Sequence, residues 1–173
     1  MIERLKKSSE IFIYICGILL LASVLLISIE VILRKFFLVS FGGADELSGY
    51  ALGICISWSL AYVLFEKMHI RIDIVYANMS SNFQKLLDVV AGLFTLAFTG
   101  LLVYFSSSVI YTSFVKDSTA NTPLGTPLWI PQSIWFLGFC FFFFVVLILC
   151  IKSIIALGTD DINEHMSIAK DEI

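Results

Sequence analysis

Charged side chains are scarce in this sequence: Asp, Glu, Lys and Arg make up 14% of its 173 residues, against about a quarter in soluble domains. So thin a polar coat excludes an ordinary water-soluble globule. Histidine is almost missing, with only His69 and His165, and neither lies inside an apolar run, where a membrane haem bundle would carry its ligands. All four cysteines, Cys16, Cys55, Cys140 and Cys150, fall within apolar runs. A disulfide framework is disfavoured there and a metal cluster would need further ligands nearby, so they read as packing thiols. No phosphate loop, nucleophile constellation or pair of catalytic carboxylates is present. No inverted repeat or broken helix pair marks a substrate site at mid-membrane. The chain is therefore read as no enzyme, with no metal and no cofactor. Its net charge of −3 gathers in the C-terminal tail and gives no basis for nucleic-acid binding.

What is abundant is apolar surface, 59% of the residues. A bilayer core takes about 20 apolar residues to cross, and four such runs occur, at 11–33, 46–65, 86–115 and 131–157. They predict an all-α membrane protein of four transmembrane helices, with residues 1–158 as one membrane domain and 159–173 as a polar cytoplasmic tail. Arg4, Lys6 and Lys7 before the first run resemble the start of a signal peptide, but the run is too long for one and reads as an uncleaved anchor. Arg4, Lys6, Lys7, Lys67, Arg71, Lys85, Lys152 and Lys170 lie toward one side of the membrane, and only Arg34, Lys35 and Lys116 toward the other. The positive-inside rule then makes both termini cytoplasmic.

Within the second run Gly49, Gly53, Ser57 and Ala61 recur every fourth residue, forming a smooth helical stripe on which a partner helix can seat closely. Trp58 falls near mid-span, where its indole N–H would be unsatisfied in lipid, so it is expected to face protein. Asp45 and Glu46 suit the start of that helix, where exposed amides favour negative charge; they also offer an outer docking point for another protein. Glu30 precedes Arg34 by four residues, the spacing of an ion pair at the end of the first helix. After the second run, His69, Arg71 and Asp73 alternate with isoleucines, which predicts a cytoplasmic elbow leading into a short interfacial helix between helices 2 and 3. The third run would measure about 45 Å as a helix, longer than the hydrocarbon core of about 30 Å, so it must tilt or protrude. The fourth, with Phe139 and Phe141 to Phe144, is expected to turn much of its surface to lipid and to end at Gly158.

The segment Asp45-Glu46-Leu47-Ser48-Gly49-Tyr50, followed by Trp58, by His69-Ile70-Arg71-Ile72-Asp73 and by a Thr-Pro-Leu-Gly-Thr-Pro-Leu-Trp-Ile-Pro loop, resembles the small, DctQ-like membrane subunit of tripartite ATP-independent periplasmic (TRAP) transporters. Ala61-Tyr62 and Glu66-Lys67 depart from the commoner pattern of a glycine and a small-residue helix end. The resemblance implies a bacterial inner-membrane system in which a large membrane subunit carries the substrate and sodium sites. A periplasmic substrate-binding protein delivers an organic acid such as a C4-dicarboxylate, a keto acid or sialic acid. The small subunit would then be a non-catalytic scaffold for the large one, embedded in membrane lipids, and part of the docking surface. The alternative is a self-sufficient small oligomeric transporter or channel with Glu30 as its coupling carboxylate.

Overall fold

A computed structural model describes residues 2–40, 42–66 and 81–171, and builds them into four helices: α1 (Ile2–Phe37), α2 (Ala44–Phe65), α3 (Ser81–Val115) and α4 (Trp129–Asp171). All four are long and apolar enough to cross a membrane. The predicted interfacial helix, with His69, Arg71 and Asp73, lies outside the described residues.

Side-chain register fixes the topology. Lys6 meets Glu66, Phe12 meets Trp58 and Cys55 reaches Cys16, so α1 and α2 run antiparallel. Gly92 lies against Cys150, Gly100 against Phe143 and Phe114 against Trp129, so α3 and α4 are antiparallel as well. Between these hairpins α2 and α4 run parallel, Gly53 beside Trp135 and Ser57 beside Gly138. The helices therefore stand in the order α1, α2, α4, α3, each packed on the next. Both hairpin loops share one end of the bundle, and the start of α1 and the end of α2 share the other.

The position of α4 narrows the expectation that much of its surface faces lipid, because most of its phenylalanine run packs against the other helices. It is the most covered of the four helices and α3 the least. Phe142, Val145 and Val146 form the buried core with Ala61 of α2, joined by Leu64, Leu96 and Leu149. Phe143 packs on Gly100 and Phe141 on Phe12, which leaves Phe144 as the exposed member of the phenylalanine run. In a membrane the protein interior and the lipid are equally apolar, so an unbroken apolar helix carries no mark of which it faces. Nor does α4 stop at Gly158; it continues to Asp171. One helical glycine costs only about 1 kcal/mol, and no proline follows it.

The seam between α3 and α4 has a seven-residue period. Gly92, Thr99, Ser106 and Ser113 recur at that spacing on α3, and the last three are buried. Half-buried Leu96, Val103 and Ile110 interleave with them. A heptad pattern keeps one line of residues against a neighbouring helix along its whole length, and the small members allow close approach. Four hydroxyls along the spans are satisfied within their own helices: Ser23 donates to the Leu19 carbonyl, Ser57 to Ile54, Thr95 to Ala91 and Thr99 to Thr95. A hydroxyl in lipid has no other acceptor within reach.

The helix ends are set by local backbone chemistry. Asp117 takes a left-handed conformation (φ 46°) while Ser118 and Asp117 donate to the Ser113 and Phe114 carbonyls, a Schellman end for α3. Leu38 does the same after α1 (φ 57°). Gly42, at φ +69°, turns the chain into α2, where a side-chain-bearing residue would be strained.

Candidate functional site

Two regions hold the hairpins together, and they collect most of the residues singled out from the sequence. The first is the crossing of α2 and α4. A methyl group built on Gly138 would lie 2.6 Å from the Ser57 hydroxyl oxygen and 2.9 Å from both Ser57 Cβ and Trp58 Cδ1. Only a glycine at 138 therefore permits this approach. Ser57 and Ala61 are fully enclosed here. Gly53 has only the Trp135 ring nearby, at 3.9 Å, and Gly49 is exposed with nothing around it. The stripe thus divides: its Ser57–Ala61 half is occupied by α4 of the same chain and presents no surface to another protein, Gly53 is partly covered by Trp135 of α4, and Gly49 is open.

Trp58 meets its need for an acceptor by donating its indole N–H to the Ile134 carbonyl of α4 at 3.0 Å. That carbonyl belongs to the first turns of a helix but is shared with a neighbouring element, a bond that ties α2 to α4. The ring packs on Phe12 of α1 at 4.4 Å between centroids and on Phe141 of α4 at 6.1 Å, and Phe12 touches Phe141 edge-on at 5.3 Å. Three helices meet at this aromatic junction.

The second region is the shared loop end. Residues 118–128 fold back as a small hairpin, with Ala120 N–H donating to Thr126, Leu128 N–H to Ser118, and an antiparallel bridge between Thr119 and Pro127. Its tip sits on the glycines that precede α2: Pro123 lies over Gly42, and Leu124 occupies the space a side chain on Gly43 would need. The Thr122 hydroxyl donates to one carboxylate oxygen of Glu46, and the Tyr50 hydroxyl donates to the other at 2.8 Å. Across the loop, the Ser40 hydroxyl donates to Glu30 and accepts from the Gly42 N–H at 3.1 Å. Both glutamates are buried and each is used by a loop hydroxyl.

This geometry revises two expectations. Glu46 lies in the first turn of α2 with Asp45, where negative charge suits the helix start, but the cap is Gly43 and makes no side-chain bond; the Glu46 carboxylate braces the α3–α4 loop from within. Asp45, its neighbour, stays exposed at the surface of this end. Glu30 turns inward to Ser40 and leaves Arg34 exposed, the one ion pair between described side chains being Lys6–Glu66 at 2.8 Å. His69, Arg71 and Asp73 fall outside the described residues.

Gly138, Phe12, Thr122 and Ser40 did not stand out in the sequence. Gly138 could have been found as the lone small residue between Trp135 and the phenylalanine run, a position suited to receive a small-residue stripe. Thr122 and Ser40 gave no signal beyond loop composition. Among the described residues no group of three or more His, Cys, Asp or Glu side chains is placed to hold a metal ion.

The family model described as Tripartite ATP-independent periplasmic transporters, DctQ component, matches residues 23–155. No curated protein and no solved structure matches the chain. The matched region runs from within α1 to within α4 and contains the α2–α4 crossing and both loops, so the chain belongs to the DctQ family, the small membrane component of TRAP transporters.

Proposed function

We propose that the chain is the static companion of the large TRAP subunit, a non-catalytic brace whose loop end contributes to docking of the periplasmic binding protein during sodium-driven uptake of an organic acid. The observation that carries this reading is the double fastening of the hairpins, at the Ser57–Gly138 crossing and at the Glu46–Thr122 loop contact. A moving transport element needs a partner that does not deform with it. Exposed apolar faces of α1 and α3, such as Tyr14, Ile18 and Leu21 or Phe94, Phe98 and Tyr104, supply surface for lipid and for a large membrane neighbour.

In this reading Gly49 and the side of Gly53 that Trp135 leaves uncovered seat a helix of the large subunit. Ser57, Trp58 and Ala61 act one step back by fixing α2 on α4, and Asp45 faces the binding protein while Glu46 stiffens the loop beneath it. His69, Arg71 and Asp73 anchor the elbow on the cytoplasmic side, with both termini. The carried acid is a C4-dicarboxylate, a keto acid or sialic acid. Reconstituting the large subunit and binding protein with and without this chain, and measuring organic-acid uptake under an imposed sodium gradient, tests the role. Full sodium-dependent uptake without the chain would exclude it. A cysteine placed at Asn121 and labelled in intact cells by an impermeant maleimide tests the orientation, because the native cysteines are buried or half-buried; labelling only after lysis would invert it.

A further inference from the structure

The end of α1 carries a feature that the fastening of the hairpins leaves unused. Arg34 and Lys35 lie in its last turn, and both are exposed. The carboxylate one turn earlier, Glu30, is buried and bonded to Ser40, and neither cation has a carboxylate within ion-pair distance among the described residues. The Lys35 ammonium instead lies 5.9 Å from the centroid of the Phe36 ring. Phe36, Phe37 and Leu38 then follow at 70%, 67% and 89% exposure. Such apolar surface needs a covering, and such a pair of cations at its edge attracts an anion.

Two geometric facts choose the occupant. The apolar stretch 11–33 ahead of the pair is about 34 Å long as a helix, enough to cross a hydrocarbon core of about 30 Å, which puts Arg34 and Lys35 at the phosphate level on the hairpin-loop side. Moreover Arg34, Lys35, Phe36 and Phe37 are consecutive on a helix of 3.6 residues per turn, so their exposed side chains point in four directions around the axis. A protein neighbour covers one side of a helix. A collar of lipid covers all of them.

We propose that the end of α1 is a docking surface for anionic phospholipid in the leaflet on the hairpin-loop side. Arg34 and Lys35 hold headgroup phosphodiesters, and Phe36, Phe37 and Leu38 lie among the glycerol and upper acyl carbons. Arginine suits this role because its planar fork engages two phosphate oxygens at once, and aromatic side chains favour the interface. The site needs no other subunit, so it stands or falls apart from the scaffold role.

The test uses the full chain in nanodiscs and follows the Leu38 methyl resonances while headgroup-spin-labelled phosphatidylglycerol or phosphatidylcholine of matched acyl chains is added. Labelled phosphatidylglycerol is expected to broaden Leu38 at far lower mole fraction than phosphatidylcholine. At about fivefold per juxtamembrane cation, the double variant Arg34→Gln/Lys35→Gln loses about 25-fold of that preference. The charge-preserving Arg34→Lys/Lys35→Arg variant keeps it, which separates headgroup binding from misfolding. Equal broadening by both lipids, or an unchanged preference in the glutamine variant, overturns the proposal. So does full competition by inorganic phosphate, which would make this a soluble-anion site. Loss of lipid broadening on assembly with the large subunit would assign the surface to protein and overturn it as well.

Discussion

Replacing Gly138 by alanine adds one methyl group at the tightest point of the bundle. That carbon would sit 2.6 Å from Ser57 Oγ, 2.9 Å from Ser57 Cβ and 2.9 Å from Trp58 Cδ1, where carbon atoms normally rest about 3.5–4.0 Å apart. Rotating the serine removes the oxygen clash at the expense of its bond to the Ile54 carbonyl, but it cannot move Cβ, which is fixed to the backbone of α2. The helices must then separate by about 0.6–1 Å. Separation loosens Ala61 from Val145 and Val146 and stretches the Trp58–Ile134 bond. Overpacking of this kind costs about 1–3 kcal/mol, weakening a hydrogen bond adds up to about 1 kcal/mol, and the better helix propensity of alanine returns about 1 kcal/mol. The net expectation is a loss of up to about 3 kcal/mol, centred on about 1.5 kcal/mol.

Gly49→Ala is the internal control, since it makes the same chemical change on α2 where nothing lies within 4 Å. It should gain up to about 1 kcal/mol from propensity alone. A second arm pairs Gly138→Ala with Ser57→Gly, which deletes both clashing serine atoms and leaves Trp58 Cδ1 at 2.9 Å. The double variant should recover part of the loss, with a coupling of about 1–2 kcal/mol. Equilibrium unfolding in mixed micelles measures the five proteins: the wild type, Gly138→Ala, Gly49→Ala, Ser57→Gly and the double variant. If Gly138→Ala proves as stable as Gly49→Ala, or if the cycle shows no coupling, α2 and α4 do not meet where the register places them.

Four other outcomes follow from the same geometry. Gly42→Ala forces a side chain into φ +69° and places its methyl 3.0 Å from Pro123 Cγ, so it should cost about 1–2 kcal/mol, read by thermal unfolding in detergent. Trp58→Phe keeps the ring on Phe12 but removes the N–H to Ile134, an expected loss of about 0.5–1.5 kcal/mol in the same assay. Glu46→Ala leaves the Thr122 and Tyr50 hydroxyls without their acceptor; amide exchange at Ala120 and Leu128 should speed up while α1 is unchanged, and unaltered exchange would contradict the bracing role. Asp117→Gly relieves the left-handed backbone at the end of α3 and should raise stability by about 0.5–1 kcal/mol.

The spans were the legible part of the fold. The run 86–115 coincides with the apolar section Leu86–Val115 of α3, and 46–65 differs from α2 only at its first turn. Length and hydropathy suffice there because a helix is the only open way to satisfy a backbone in lipid. The neighbours of each span were not legible. Trp58 announced that it required an acceptor, yet Ile134 lies 76 residues away, and no local pattern encodes that distance. Glu46 and Thr122 are equally distant in sequence; local logic assigned the glutamate to the start of its own helix, and tertiary geometry took it for a loop. The phenylalanine run of α4 was misjudged for the opposite reason: its composition fits lipid and protein equally, and only the glycines and small residues facing it on α2 and α3 decide.

This dependence on small and polar residues explains how the chain can be stiff without a water-driven core. Apolar bulk gives helices in lipid no net drive to associate, since the lipid is as good a neighbour; close approach and buried hydrogen bonds must supply it. Along α2 these devices are Glu46 to the Thr122 loop, Gly53 beneath Trp135, Ser57 and Trp58 on Gly138 and Ile134, and Ala61 in the core of α4. From Glu46 to Ala61 they cover about 22 Å of helix. A pair of helices joined at one crossing can pivot about it. A pair joined at four levels over that length cannot rotate without breaking the Glu46–Thr122 bond at one end and opening the packing of Ala61 at the other. These contacts predict that the two hairpins move as one body and that loosening them requires damage at the loop and at the crossing together: Glu46→Ala with Gly138→Ala should release motion between α2 and α4, seen as broadened spin-label distances, that neither change releases alone.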